Sequence, residues 1–238
     1  QRGGRRYGDT APSGMGTGQM TIRLSPIGRV AILFGFTTLL VLATRLPLMP
    51  SHLYSFDSVN LALALEDFDL TRHQPQPPGY PLFVEEARLL SWWLRTPEST
   101  FSFLKILISG LSVGMLYLLG KWMFSRWVGM TAAALLFVNP IFWRSSLASP
   151  LRPHLALFSV LVAYCCWRAY NGERRYFYWA SLFLGLAGGF RPELSLVLFP
   201  LWGWVGWKSG RWRLLLHGFP LLAVSTLTWI TILAIASG

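Results

Sequence analysis

The sequence has few charged side chains, which make up 13% of its 238 residues, and 10 residues are acidic. Soluble domains carry about one quarter charged residues, so this composition excludes an ordinary soluble domain. The apolar share of 53% and the mean hydropathy of +0.44 exclude intrinsic disorder for the chain as a whole. The 21 basic residues would suggest nucleic-acid binding in a soluble protein. In a membrane protein, the meaning of this excess depends on where each basic residue lies.

Cysteine is also scarce, because the chain has only Cys165 and Cys166, which are adjacent within an apolar stretch. Neighbouring cysteines do not form an ordinary disulfide, and no spacing typical of a zinc site is present. We interpret both as small buried side chains. The sequence also contains no Walker loop, no G-x-S-x-G and no H-E-x-x-H. Nucleotide-driven, serine-hydrolase and zinc-protease chemistry therefore have no local support.

Long apolar runs are abundant, and a helix needs about 20 apolar residues to cross a bilayer. They predict an all-α integral membrane protein with about seven transmembrane helices, at residues 26–48, 101–120, 127–142, 154–167, 176–190, 194–207 and 214–236. Residues 1–25 are rich in glycine and arginine and predict a disordered, basic cytoplasmic tail. The chain begins with Gln1 and ends in an apolar run, so we expect residues 26–238 to be a module of a longer protein.

The basic residues are distributed unevenly between the two predicted sides of the membrane. With the N-terminus in the cytoplasm, the inner side holds 13 basic residues and two acidic ones, Asp9 and Glu173. The outer side then holds eight basic and eight acidic residues. Lys and Arg concentrate in cytoplasmic loops, so we expect a multi-pass plasma-membrane protein with residues 49–100 as a long outer loop.

The outer loop carries seven of the ten acidic residues. Asp57 is predicted to cap a short helix at residues 58–66. Four prolines among residues 75–81 exclude a helix there and predict a rigid, extended path. Residues 82–94 then predict an amphipathic helix on the membrane plane, with aromatic residues at the interface.

Three motifs follow Asp57 in a fixed order: HQPQPPGYP at 73–81, NPIFWRSSLASP at 139–150 and GLAGGFRPEL at 185–194. In this order, over residues 27–236, the chain resembles the GT-C superfamily, with the protein O-mannosyltransferase-like and aminoarabinose-transferase-like groups as the nearest. These multi-pass glycosyltransferases use polyprenyl-phosphate sugars. The resemblance implies an inverting transferase that moves a sugar, with mannose as one candidate, to a protein, lipid or glycan acceptor on the outer face.

The resemblance also implies that Asp57 is the catalytic acidic residue of the family. A carboxylate at this position can accept the proton that the acceptor hydroxyl loses as it attacks, although a helix cap is an alternative role. Guanidinium groups suit the departing phosphate. The candidates at outer ends of spans are Arg72, Arg144, Arg152 and Arg191. We also predict that His73 and Tyr80, in the proline segment, contact the substrate.

A second acidic cluster comprises Glu66, Asp67 and Asp69. Carboxylate oxygens can hold a divalent metal, but a solvated helix end is the more common use of such a cluster. Asp57 is followed by Ser58, where many relatives carry two adjacent acids, and this departure argues against a metal pair. No metal ligand is therefore assigned, and a divalent cofactor stays an open alternative.

Two other functions compete with glycosyl transfer. A transporter or flippase of lipid-linked substrates predicts charges in the middle of spans and an internal repeat. The sequence shows no clear repeat, and its ionisable residues cluster at span ends. A non-catalytic membrane scaffold is the third interpretation, and the long, acidic, proline-stiffened loop argues against it.

Overall fold

The computed structural model describes residues 25–53 and 55–236, and every regular element within them is helical. The all-α prediction is therefore confirmed. Most of the predicted tail, residues 1–24, lies outside the described residues. The helices are α1 Pro26–Arg45, α2 Phe56–Glu66, α3 Pro81–Leu94, α4 Pro97–Met123, α5 Arg126–Val138, α6 Pro140–Ala148, α7 Arg152–Tyr170, α8 Arg175–Phe190 and α9 Pro192–Ala236. Short 3-10 turns occupy Leu46–Leu48 and Leu70–Arg72.

Local sequence sets where several helices begin. Among the described α-helices, side-chain oxygens of five residues accept a backbone N–H of the following turn and so act as N-caps: Ser25, Ser55, Thr96, Ser125 and Asn139. Three of these caps are followed directly by a proline, which suits the first helical position because it lacks an N–H that would remain unpaired there. The break between α5 and α6 follows from this pairing of Asn139 with Pro140.

This break corrects the third predicted span. Residues 127–142 were expected to form one helix, but α5 ends at Val138 and Pro140 opens a new helix. Asn139 Oδ1 accepts from the N–H groups of Ile141 and Phe142 at 2.9 and 3.0 Å, which completes the start of α6.

Helices α1, α4 and α5 pack side by side in alternating directions. A Cβ atom added at Gly110 of α4 would lie 2.4 Å from the Cα of Thr38 in α1. One added at Gly120 would lie 2.8 Å from the Cα of Gly129 in α5. Small residues allow such close backbone approach between membrane helices, so glycine fixes both contacts.

The segment Pro192–Ala236 is helical throughout but reverses direction. Ser195 Oγ donates to the carbonyl of Leu184 at 2.6 Å, and Trp229 Nε1 donates to the carbonyl of Gly185 at 2.9 Å. A straight helix of this length would span roughly 68 Å, so two residues near its opposite ends could not both reach the same turn of α8. The two halves of α9 therefore lie side by side.

The bundle has two distinct ends. At one end, the guanidinium carbon of Arg168 lies 4.8 Å from the ring centre of Trp122, near the end of α4 and the start of α8. At the other end, the ring of His154 at the start of α7 stacks on Phe190 at the end of α8, with ring centres 4.8 Å apart. We name these the basic end and the site end.

Helices α2 and α3 pack on the site end instead of standing apart from it. Leu61, Phe83, Phe101 and Phe190 belong to one buried apolar cluster that joins α2, α3, α4 and α8. The proline segment between α2 and α3 adds Gly79, whose φ of +102° suits glycine and which comes close to Leu233 of α9. The long loop is therefore held against the bundle by apolar contacts.

Three helical stretches are long and apolar enough to cross a membrane: Pro26–Leu48, Pro97–Met123 and Trp212–Ala236. They correspond to the first, second and seventh predicted spans. The helices between them are shorter or less apolar, but they pack against these three in the same bundle.

Candidate active site

A cavity of about 570 Å³ opens at the site end, where α2, α6 and the start of α7 meet. Its charged lining residues are Asp57 from α2, Arg144 from α6 and Arg152 from α7. These three residues come from segments nearly 90 positions apart in sequence, and the fold brings them around one space. The cavity therefore joins the predicted base to two of the predicted phosphate ligands.

Asp57 lies in the first turn of α2 and is not its cap, which corrects the prediction from sequence. The cap is Ser55, whose Oγ accepts from the N–H of Ser58 at 3.2 Å. A carboxylate in the first turn of a helix is stabilised by the partial positive charge of the N-terminal N–H groups. Among the described residues, the Asp57 carboxylate has no hydrogen bond and no ion pair. It is therefore free to accept a proton or to contact a substrate.

The two arginines of the cavity are also unpaired within the described part of the chain. Neither Arg144 nor Arg152 donates to a carboxylate or carbonyl there, and both side chains are exposed to the cavity region. Together with the carboxylate of Asp57, the two guanidinium groups give the cavity lining a net charge of +1. An arginine fork can donate two parallel hydrogen bonds to phosphate oxygens, so this pair can hold an anionic group near the Asp57 carboxylate.

The first turn of α7 is held by the contacts of His154, two residues after Arg152. His154 is 1% exposed, with Nε2 3.0 Å from Glu86 Oε2 of α3 and Nδ1 3.1 Å from the carbonyl of Pro150. Its ring also stacks on Phe190. These contacts fix the first turn of α7, where Arg152 lies.

Tyr80 is buried and does not belong to the lining of the cavity. Burial raises the pKa of Tyr80, and the charges of Arg191, Glu193 and Asp57 all act on its hydroxyl group. Arg191 forms an ion pair with Glu193 at 3.4 Å, so it is partly neutralised, unlike Arg144 and Arg152.

Arg72 and His73 lie elsewhere. The Arg72 guanidinium forms ion pairs with Asp67 at 3.4 Å and Asp69 at 3.1 Å, and 68% of its side chain is exposed. Both residues are exposed, and His73 adopts a left-handed backbone conformation that ends the 3-10 turn. The structure does not bring either of them to the cavity lining.

The second acidic cluster stabilises a turn. Asp69 Oδ1 accepts from the N–H and the hydroxyl of Thr71 at 2.8 and 2.6 Å, and these bonds lower the pKa of Asp69. Within the described residues, no group of three or more His, Cys, Asp or Glu side chains is placed to hold a metal ion. Asp67 and Asp69 instead form ion pairs with Arg72.

Sequence reasoning missed two buried cations next to the cavity, Arg45 and Lys105, which it treated only as charges at the outer ends of spans. They are 0% and 5% exposed, and both bond to α6 or the residues just before it. The sequence offers one signal for them, a basic residue within an apolar run, and this signal does not identify which residues Arg45 and Lys105 contact.

A comparison with family models gives one match. The model described as dolichyl-phosphate-mannose-protein mannosyltransferase matches residues 77–236, which is about two thirds of the chain. No curated protein and no solved structure matches the chain. The matched range includes Tyr80, Arg152 and Arg191, whereas Asp57 precedes it. The expected resemblance is confirmed, and the chain belongs to the dolichyl-phosphate-mannose-protein mannosyltransferase family, whose members are membrane glycosyltransferases of the GT-C type.

Proposed function

We propose that this protein transfers a sugar, with mannose as the first candidate, from a polyprenyl-phosphate donor to an acceptor hydroxyl at the outer membrane face. The observation that carries the proposal is the cavity in which the Asp57 carboxylate shares a lining with Arg144 and Arg152, none of which is paired with another described residue. The family match supports the reaction class. The acceptor is a protein, lipid or glycan.

The roles of the three side chains follow from their charges. The acceptor oxygen attacks the anomeric carbon while its proton moves to the Asp57 carboxylate. The bond between the anomeric carbon and the phosphate oxygen breaks, and the bonding electrons leave with the lipid phosphate. Arg144 and Arg152 bind the phosphate, which is already anionic in the donor, and keep these contacts as the lipid phosphate leaves.

This mechanism is a single displacement and inverts the anomeric centre. A retaining reaction requires a second carboxylate that forms a covalent intermediate about 5 Å from the first. Among the described residues, Asp57 is the one acidic residue in the cavity lining. A single carboxylate that acts as a base fits direct attack by the acceptor.

We further propose seven membrane spans, formed by α1, α4, α5, α7, α8 and the two halves of α9. The alternating directions of neighbouring helices and the charge of the basic end support this arrangement. That end carries Lys121, Arg126, Arg174, Arg175 and Lys208. Lys and Arg favour the cytoplasmic side, which gives a plasma-membrane protein whose site end faces outward.

The direct test is sugar transfer by an Asp57→Asn variant of the full-length protein, with a polyprenyl-phosphate sugar as donor. Loss of a general base lowers kcat by about 10²–10⁴-fold. Asp67→Asn is the matched control, because Asp67 lies on the same loop, is exposed and contacts Arg72 rather than the cavity. Equal turnover by the two variants would refute the role of Asp57.

A further inference from the structure

Helix α6 has two functional faces. Ile141, Arg144 and Ala148 line the cavity, and their spacing of three and four residues places them on one side of the helix. Trp143, Ser146 and Leu147 therefore face away from the cavity. A helix of nine residues is too short to hold its conformation alone, so contacts on this second face determine where Arg144 lies.

Arg45 supplies one of these contacts. Its Nε donates to Ser146 Oγ at 2.7 Å, and its Nη2 donates to the carbonyl of Phe137 at 2.9 Å. The break at Asn139 leaves this carbonyl without its helical partner, because the N–H of Ile141 bonds to Asn139 Oδ1 instead. Arg45 therefore joins the end of α5 to the body of α6.

Aromatic rings enclose the same guanidinium. Its central carbon lies 4.4 Å from the ring centre of Trp143 and 4.7 Å from that of Phe137. Cation–π contacts of this kind strengthen when the cation is removed from water, and Arg45 is fully buried. The rings thus help to hold a charge in an apolar setting.

Lys105 supplies the second anchor. Its Nζ donates to the carbonyl of Leu147 at 2.8 Å, in the last turn of α6. A positive charge at the C-terminal end of a helix also complements the partial negative charge of the free carbonyls there. The two cations thus hold the C-terminal half of α6, at Ser146 and Leu147, and Arg45 also ties this helix to the end of α5.

Within the part of the chain that the structure describes, neither buried cation has an acidic partner. The ion pairs of the described residues involve other side chains. A buried charge without a counterion is costly, and an anion in the neighbouring cavity would offset that cost. The cavity lining, which already carries one net positive charge, thus lies against a helix supported by two more.

We propose that Arg45 and Lys105 are positioning residues for the donor phosphate, because they fix α6 so that Arg144 faces the cavity. This inference rests on the proposed function, because it takes the donor phosphate as the anion. Both residues act through α6 and not by contact with the substrate.

The test is a comparison of Arg45→Met with Arg168→Met in the full-length protein. Arg168 is a matched control, because it is also surrounded by aromatic rings but lies at the basic end and pairs with Glu173. We expect Arg45→Met to raise the donor KM by about tenfold with kcat nearly unchanged, since the lost interaction acts on binding. The acceptor KM should not change, and Arg168→Met should leave the donor KM at its original value.

A direct binding measurement keeps the inference testable apart from turnover. A short-chain polyprenyl phosphate without a sugar is the probe, and its Kd should rise about tenfold in Arg45→Met and Lys105→Met. Arg45→Lys should recover part of the affinity, because it keeps the charge but loses the planar fork. Ser146→Ala removes only one acceptor and should weaken binding less; it substitutes for Arg45→Met if that variant does not fold.

Coupling to Arg144 separates positioning from a general loss of stability. If Arg45 acts through α6, its replacement should change donor binding less than about twofold once Arg144→Gln is already present. Additive effects, or an unchanged Kd in Arg45→Met, would overturn the inference. The two proposals can fail separately. If wild type and Asp57→Asn transfer sugar equally while Arg45→Met binds the polyprenyl phosphate poorly, the proposed function is wrong but the role of Arg45 in anion binding is supported.

Discussion

Replacing Gly110 by alanine should weaken the contact between α1 and α4. The added Cβ would lie 2.4 Å from the Cα and 2.5 Å from the Oγ1 of Thr38. Carbon atoms pack at about 3.5–4.0 Å, so α1 would have to move by roughly 1 Å. Overpacking of this kind costs about 1–3 kcal/mol of the free energy of unfolding. The measurement is reversible unfolding of the purified protein in mixed detergent micelles.

Gly35→Ala is the matched control, because Gly35 lies on the same pair of helices and a Cβ there would meet nothing within 4 Å. Alanine favours the helix by about 0.5–1 kcal/mol over glycine, so this variant should be at least as stable as the original protein. If Gly110→Ala and Gly35→Ala had the same free energy of unfolding, the close approach of α1 to α4 would be refuted.

Two further predictions concern single sites. The pKa of Asp69 is lowered mainly by the hydrogen bond that its carboxylate accepts from the side chain of Thr71. The carboxylate therefore stabilises the fold above its ordinary pKa of about 3.9, and this contribution is lost as pH falls through the lowered pKa of the folded state. Thermal unfolding should depend less on acid pH in Asp69→Asn than in wild type, and an unchanged profile would contradict this. Cys165 and Cys166 are 3% and 1% exposed, so a water-soluble maleimide should label them only after denaturation. Rapid labelling of the native protein would show that α7 packs differently.

The sequence predicts the helices well where an apolar run lies between residues that interrupt a helix, such as Gly172 and Pro192. Residues 176–190 were expected to be helical, and α8 covers Arg175–Phe190. The error at Asn139 has a local cause: the apolar run continues past Pro140, and only the capping geometry shows that a new helix begins there. The cap of α2 was misplaced by two residues, because Ser55 and Asp57 are both good capping residues and packing decides between them.

The site was partly predictable. Asp57 and Arg152 were expected to act together and do share one cavity. Arg72 was also a reasonable candidate by its position, but two nearby carboxylates neutralise it in the folded chain. The roles of Arg45 and Lys105 depend on partners 101 and 42 residues away. No local pattern encodes such contacts, so only the structure reveals them.

In the proposed mechanism, Asp57 acts as the base while Arg144 binds the donor phosphate. The most direct measurement is the separate determination of kcat and donor KM for Asp57→Asn and Arg144→Gln in the same transfer assay. We predict that Asp57→Asn lowers kcat by about 10²-fold or more with donor binding retained, whereas Arg144→Gln mainly weakens donor binding. Wild-type kcat in Asp57→Asn, or wild-type donor KM in Arg144→Gln, would contradict this assignment of the cavity.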